Sequence, residues 1–225
     1  MKTFAAVLVA FYAAVYGGFS VETERIGETV QDQSKLNFSA EQILNFRSLV
    51  AQVDILQKKT KDLIMPKLPQ NVTITVLDSL DLSADITVST VNRTTDAGVL
   101  VDDMERFIRF EAAVDLVTNT SCDVKVQDAS RKLSRVLWSL ISLMRSVMRK
   151  NSIAQPPQQD LSGLRGKLDK KTKEFLTFIG AGDKQIMVNG QVRRSVLNNV
   201  RNYVIMRDLS ESLLFFKIDF GKLIN

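Results

Sequence analysis

The stretch Val124-Lys-Val-Gln-Asp-Ala-Ser-Arg-Lys-Leu-Ser-Arg-Val-Leu-Trp-Ser-Leu-Ile-Ser-Leu-Met-Arg-Ser-Val-Met-Arg-Lys150 decides the fold. At about 100° per residue, Leu133, Val136, Leu137, Met144 and Val147 all fall within roughly 60° of Leu140. That is one core stripe on a long helix. Within roughly 40° of the opposite side lie Arg131, Arg135, Trp138, Ser142, Arg145 and Arg149 by the same reckoning. The chain's single tryptophan thus stands in a basic, outward row.

Upstream, a short break at Thr118 to Asp123 separates this helix from another over about Ala97 to Val117, capped by Asp96. Its apolar residues Leu100, Met104, Phe107, Phe110, Val114 and Val117 keep helical spacing. A break that short makes the two helices antiparallel neighbours. Further upstream, Ser39-Ala-Glu-Gln42 is a capping box. It opens a helix over about Ala40 to Met65, which Pro66 and Pro69 stop. Between these helices runs a connection from Pro66 to Thr95, rich in Thr, Ser, Asp and β-branched residues. Alternation at Val72, Ile74 and Val76, and again at Ile86 and Val88, predicts short strands in a partly extended surface segment.

Downstream, Gln155-Pro-Pro-Gln-Gln159 opens a second long connection reaching about Gly190. Within it the sequence predicts a short helix at Asp169 to Ile179, a Gly-Ala-Gly turn at Gly180, and a strand at Gln185 to Val188 paired with the first extended segment. The last helix covers about Val192 to Phe220. Its second half carries apolar residues at Met206, Leu209, Leu213, Phe216 and Phe220, beside a second set at Val200, Val204, Phe215 and Ile218. Two apolar faces imply either a deeply buried helix or a core face beside a binding face.

The first twenty residues, MKTFAAVLVAFYAAVYGGFS, set Lys2 before an apolar run and then small residues, the layout of an export signal cleaved after Gly17 or Ser20. No later run reaches the roughly 20 apolar residues of a membrane helix. Residues 21–225 are therefore read as one secreted domain without membrane insertion. The sequons Asn37-Phe-Ser, Asn71-Val-Thr, Asn92-Arg-Thr and Asn119-Thr-Ser suit that route as glycosylation sites. Without Lys2 the chain has 29 basic and 25 acidic residues, a net charge of +4. This admits sulfated, heparan-type glycans as partners and falls short of a nucleic-acid binder. Cys122 is alone, so it is a buried thiol, the preferred reading, or an intermolecular bridge.

The chain has no histidine, which excludes Ser-His-Asp and Cys-His catalysis and histidine metal ligands, and one cysteine cannot build a thiolate zinc site. The pairs Asp102-Asp103 and Asp78 with Asp81 are read as solvated helix ends or loops rather than catalytic carboxylates. No enzyme activity, cofactor or metal is expected. Trp138 among arginines has the composition of a binding hot spot. Its alternatives are cover by a connection, or a ring lying flat on its neighbours' alkyl stems.

Helix, long connection, helix, short connection, helix, long connection, helix is the order of an all-α, four-helix up-up-down-down bundle. Its parallel neighbours need connections that return the length of the bundle. The layout resembles the long-chain four-helix cytokines of the ciliary neurotrophic factor and leukaemia inhibitory factor type, and among invertebrate ligands the Unpaired proteins of insects. Leu77-Asp-Ser-Leu-Asp-Leu-Ser-Ala-Asp85 and Tyr203-Val-Ile-Met-Arg-Asp-Leu-Ser-Glu-Ser-Leu-Leu-Phe215 carry the local likeness. The resemblance implies a ligand that clusters cell-surface receptors to drive JAK-STAT-type signalling. It implies one receptor face on the third helix, with Arg131, Arg135, Trp138, Arg145 and Arg149, and another on the exposed C-terminal part of the last, with Arg207, Glu211 and Lys217. The family's third site uses a Phe and a Lys at the start of the last helix; here that start reads Gln191-Val-Arg-Arg-Ser195. The family's disulfides are absent too. Two other readings stay open: a secreted helical carrier of lipid or another apolar ligand, and a glycan-binding matrix protein.

Overall fold

In the computed structural model, which describes residues 36–86, 93–156, 160–180 and 183–224, Ser39 opens α1 (Ala40–Ile64) through the reciprocal capping box. The Gln42 N–H donates to Ser39 Oγ at 3.2 Å and the Ser39 N–H donates to Gln42 Oε1 at 2.9 Å. Pro66 turns the end of α1 into a 3-10 turn, Met65–Lys67. Two short helices follow, α2 (Ile74–Leu77) and α3 (Ser83–Ile86), then α4 (Asp96–Thr120). Thr95, rather than Asp96, caps α4 by accepting from the Gly98 N–H at 3.0 Å. Asp96 lies instead in the first turn, where its charge favours the helix dipole. Asp123 caps α5 (Val124–Lys150) by accepting from the Lys125 and Val126 N–H groups. After α6 (Leu164–Ile179) comes a hairpin of β1 (Met187–Val188) and β2 (Gln191–Val192), then α7 (Arg194–Leu223).

The described residues are thus mostly helical, with almost no strand, as the all-α reading requires. The main helix contacts join α1 with α5 and α7, and α4 with α5 and α7. At one end, Asn37 beside the start of α1 donates its N–H to Asn151 Oδ1 at the end of α5. There Phe38 and Phe46 also meet Phe220 near the end of α7, with ring centroids 5.7 and 4.8 Å apart. At the other end, Lys67 after α1 donates to Asp123 before α5, and Asn199 near the start of α7 donates to the Lys67 carbonyl. Phe46, Phe107 and Phe216 are buried, so the aromatic cluster fills the space between α1, α4 and α7. Truncating one such ring costs roughly 3–5 kcal/mol.

Four further sequence expectations change. The alternation at Val72, Ile74 and Val76 gives a helical turn capped by Thr73, and Ile86 ends α3; Val88 lies outside the described residues. The connection is also no mere surface strap. Val72, Leu77, Leu80, Leu82 and Ile86 are all buried, so packing against the core overrides β propensity. Helix α6 starts at Leu164, ahead of the expected Asp169, because Leu164, Leu168, Thr172 and Leu176 form one buried row. Finally, Met187 and Val188 pair with Val192 and Gln191 rather than with the first connection. Asn189 and Gly190 have φ of 52° and 73°, the conformation that suits a two-residue hairpin turn.

Candidate functional site

Helix α5 lies between α1 and α4, so its buried side has to be wide: Leu133, Leu137, Leu140, Ile141, Met144, Val147 and Met148 all enter the core. What remains outside is the basic row. Arg131, Arg135 and Arg149 are exposed and Arg145 is half-buried. Trp138 is 61% exposed, which removes the alternative of a covering connection. Arg131 is held by Asp128 at 2.9 Å, one turn back on the same helix. Beside the row, a shallow groove between α1 and α5 has Leu56, Leu63 and Ala129 along it, with Lys59, Lys125, Lys132 and Asp128.

On α7 the expected site divides. Glu211 and Lys217 are exposed, with Lys217 reaching Asp54 of α1 at 2.8 Å. Arg207 is a correction: it does not stand on an open face. Its guanidinium donates to the carbonyls of Leu77 and Leu80 at 2.6 Å each and to Asp208 Oδ1, while Asp208 Oδ2 accepts from the Leu82 N–H. The two stretches that carry the family likeness therefore touch each other, and Arg207 clamps the first connection. Sequence reasoning passed over Leu214, Phe215 and Ile218 as site residues. All three are about half exposed on α7, at 58%, 51% and 49%. For Phe215 and Ile218 the signal was the second apolar set of the last helix, of which Val200 and Val204 prove buried; Leu214 belonged to neither set.

The chain matches no family model, no curated protein and no solved structure.

The acidic pair Asp102-Asp103 is the clearest correction to the sequence reading. Rather than a solvated end, both residues are buried on α4, at 0% and 2% exposure. Arg93, just before α4, approaches Asp102 at 3.1 Å and Asp103 at 3.7 Å, and also binds Asp219 of α7. Arg106 reaches Asp102 at 3.0 Å from one turn along. The cluster ties the first connection to both helices. Burial pushes the Asp103 carboxyl up to about 7; Asp219 and Asp102 push the same way, against the pull of Arg93 and Arg106. Burial likewise lifts Asp208 to about 6 against Arg207. Of the other pair, Asp81 is exposed, accepts from Ser83 and sits below its usual range because of that bond, while Asp78 is exposed near Arg207.

Cys122 is exposed at the α4–α5 turn, which corrects the preference for a buried thiol. Asn37, Asn71 and Asn119 are exposed, as glycosylation would need; Asn92 and the export signal lie outside the described residues. Among the described residues no helix is long and apolar enough to cross a membrane.

A raised carboxyl pKa in the folded chain means that its stabilising share is complete below the unfolded value and is lost as pH rises through the folded one. For Asp103 that window runs from about 4 to about 7. Asp103→Asn should therefore stabilise the protein at pH 8, on the order of 2–4 kcal/mol, and have little effect near pH 4. Thermal melts of both chains across this range check it. Asp208 keeps a slope of the same sign below pH 6 in the variant. A variant less stable than the parent at pH 8 contradicts the assignment.

Proposed function

We propose that the chain is a secreted, cytokine-like ligand, an up-up-down-down four-helix bundle that binds and clusters cell-surface receptors without chemistry of its own. The observation that carries the reading is the pattern of end contacts. The start of α1 meets the ends of α5 and α7, and its end meets their starts. Near the α4–α5 turn, Thr118 and Ser134 also bridge across to Ser130 and to Glu111 and Asp115. On this reading α5 and α7 run opposite to α1 and α4. The parallel helices then sit across a diagonal, since the main contacts join α1 and α4 each to α5 and α7. The connections of 66–95 and 151–193 are the two that such an order needs.

The receptor faces are the Arg131, Arg135, Trp138, Arg145 and Arg149 row and the second half of α7 with Glu211 and Lys217. An exposed tryptophan flanked by arginines supports the first as an anchor. Arg207 serves as a positioning residue for the connection instead. The groove with Lys59, Lys125 and Lys132 favours a sulfated, heparan-type glycan as an accompanying partner. For the carrier reading no observation speaks, because Phe46, Phe107, Phe216 and Phe220 occupy the space beside the apolar half of α7.

Trp138→Ala combined with Arg135→Glu and Arg145→Glu should lower binding to responsive cells, and the STAT phosphorylation it triggers, at least tenfold. Circular dichroism should be unchanged, since Trp138 is mostly exposed. Unaltered binding by a folded variant removes the α5 face. Replacing Lys59, Lys125 and Lys132 with Gln should move elution from immobilised heparin to lower salt. Elution at the parent's salt concentration would show that the groove holds no glycan.

A further inference from the structure

On α7, taking Ile218 as zero and about 100° per residue, Glu211, Leu214, Phe215 and Lys222 fall within roughly 60°. This is the outward stripe, opposite the buried Leu209, Leu213, Phe216 and Phe220. Among the described residues, the other exposed large apolar side chains are each more than two helical turns from the next along the chain, whereas Leu214, Phe215 and Ile218 share a single turn. A contiguous patch of that kind marks a contact surface.

The charges at its ends say what fits. Glu211 closes the stripe on one side and Lys222 on the other. The midpoint between them falls between Phe216 and Lys217, and so does the midpoint between Phe215 and Ile218. A surface with apolar pairs at its centre and opposite charges at equal distances from one point is self-complementary under a two-fold axis.

We propose that α7 pairs antiparallel with α7 of a second copy of this chain. Phe215 of each copy packs on Ile218 of the other, Leu214 fills in beside them, and Glu211 of each copy faces Lys222 of the other. Lys222 is well exposed and only loosely engaged by Asp219 at 3.6 Å, so it can turn to the facing copy. The patch is short, so the dimer is weak, with a dissociation constant in the range of about 1–100 μM. Because α5 lies diagonal to α7, each copy keeps its basic row clear of the contact. This inference does not rest on the receptor reading; Glu211 belongs to both surfaces, so the pairing and receptor engagement at α7 exclude each other.

Sedimentation of the full chain, with Cys122→Ser to exclude a disulfide, should show a monomer–dimer equilibrium. Phe215→Glu with Ile218→Glu should abolish it, on a helix whose core face is untouched. Glu211→Lys should weaken it roughly tenfold by setting like charges opposite each other. Adding Lys222→Glu to that variant should restore it, a rescue that a folding defect does not give. A monomer at several hundred micromolar overturns the proposal, as does a dimer indifferent to these changes. A monomer whose binding to cells falls with the same substitutions assigns the stripe to a receptor instead.

Discussion

The middle of α7, from Val200 to Met206, is enclosed on every side, and the rest of the structure is arranged around that fact. Arg201, Asn202, Tyr203, Val204, Ile205 and Met206 are six successive buried residues, more than one helical turn, so neighbours must cover every direction. Helices α1 and α4 cover part of it. The two long connections cover the remainder, α6 on one side and the α2–α3 segment on another. The buried charges fix where they go: Arg201 binds Asp169 of α6 and Thr120 of α4, and Arg207 with Asp208 holds Leu77, Leu80 and Leu82. Such pairs add little net stability compared with apolar packing. Removing one partner, however, costs roughly 3–5 kcal/mol, so they hold the connections in one place.

The same enclosure explains which surfaces are left for recognition. Where the connections end, α7 emerges and Leu214, Phe215 and Ile218 meet solvent. Diagonally across, α5 spends its apolar side on α1 and α4 and leaves Trp138 and the arginines outside. The buried ion cluster at Arg93 works by another route to a related end. It fastens the chain just before α4 to α7 while keeping Asp102 and Asp103 from solvent.

Local signals were the readable part of the sequence. The Ser39 box and the α5 periodicity depend on neighbours within a turn or two, and the structure starts α1 and α5 where those signals place them. The Asn189-Gly190 hairpin had an equally local signal that the reading passed over in favour of a distant strand partner. Asp102, Asp103 and Arg207 were misread for a different reason. Whether a charged side chain is buried depends on partners such as Asp219 or Leu80, which no spacing rule connects to it. For the first connection, β-branched residues pointed to strands, yet Leu77, Leu80, Leu82 and Ile86 are buried at spacings that short helical turns also satisfy. Of the candidate site, Trp138 and its arginines followed from periodicity alone. The half-exposed α7 stripe needed the structure, since a helix with two apolar faces does not say which one is covered.

The central claim is the direction of the helices, because the receptor reading stands on it. Distances between paired spin labels measure this most directly, in a Cys122→Ser chain labelled at Ala40 with Lys150 and, separately, at Ala40 with Lys125. These positions lie at the start of α1 and at the end and start of α5. With α1 and α5 antiparallel, the first pair is close together and the second is about 40 Å apart, close to the length of a 25- to 27-residue helix. A matching pair of labels at Ala40 with Asp96 and with Thr120 should place the start of α1 at the same end of the bundle as the start of α4. The reverse order in that second pair, with Ala40 nearer Thr120, would make α1 and α4 antiparallel and contradict the account.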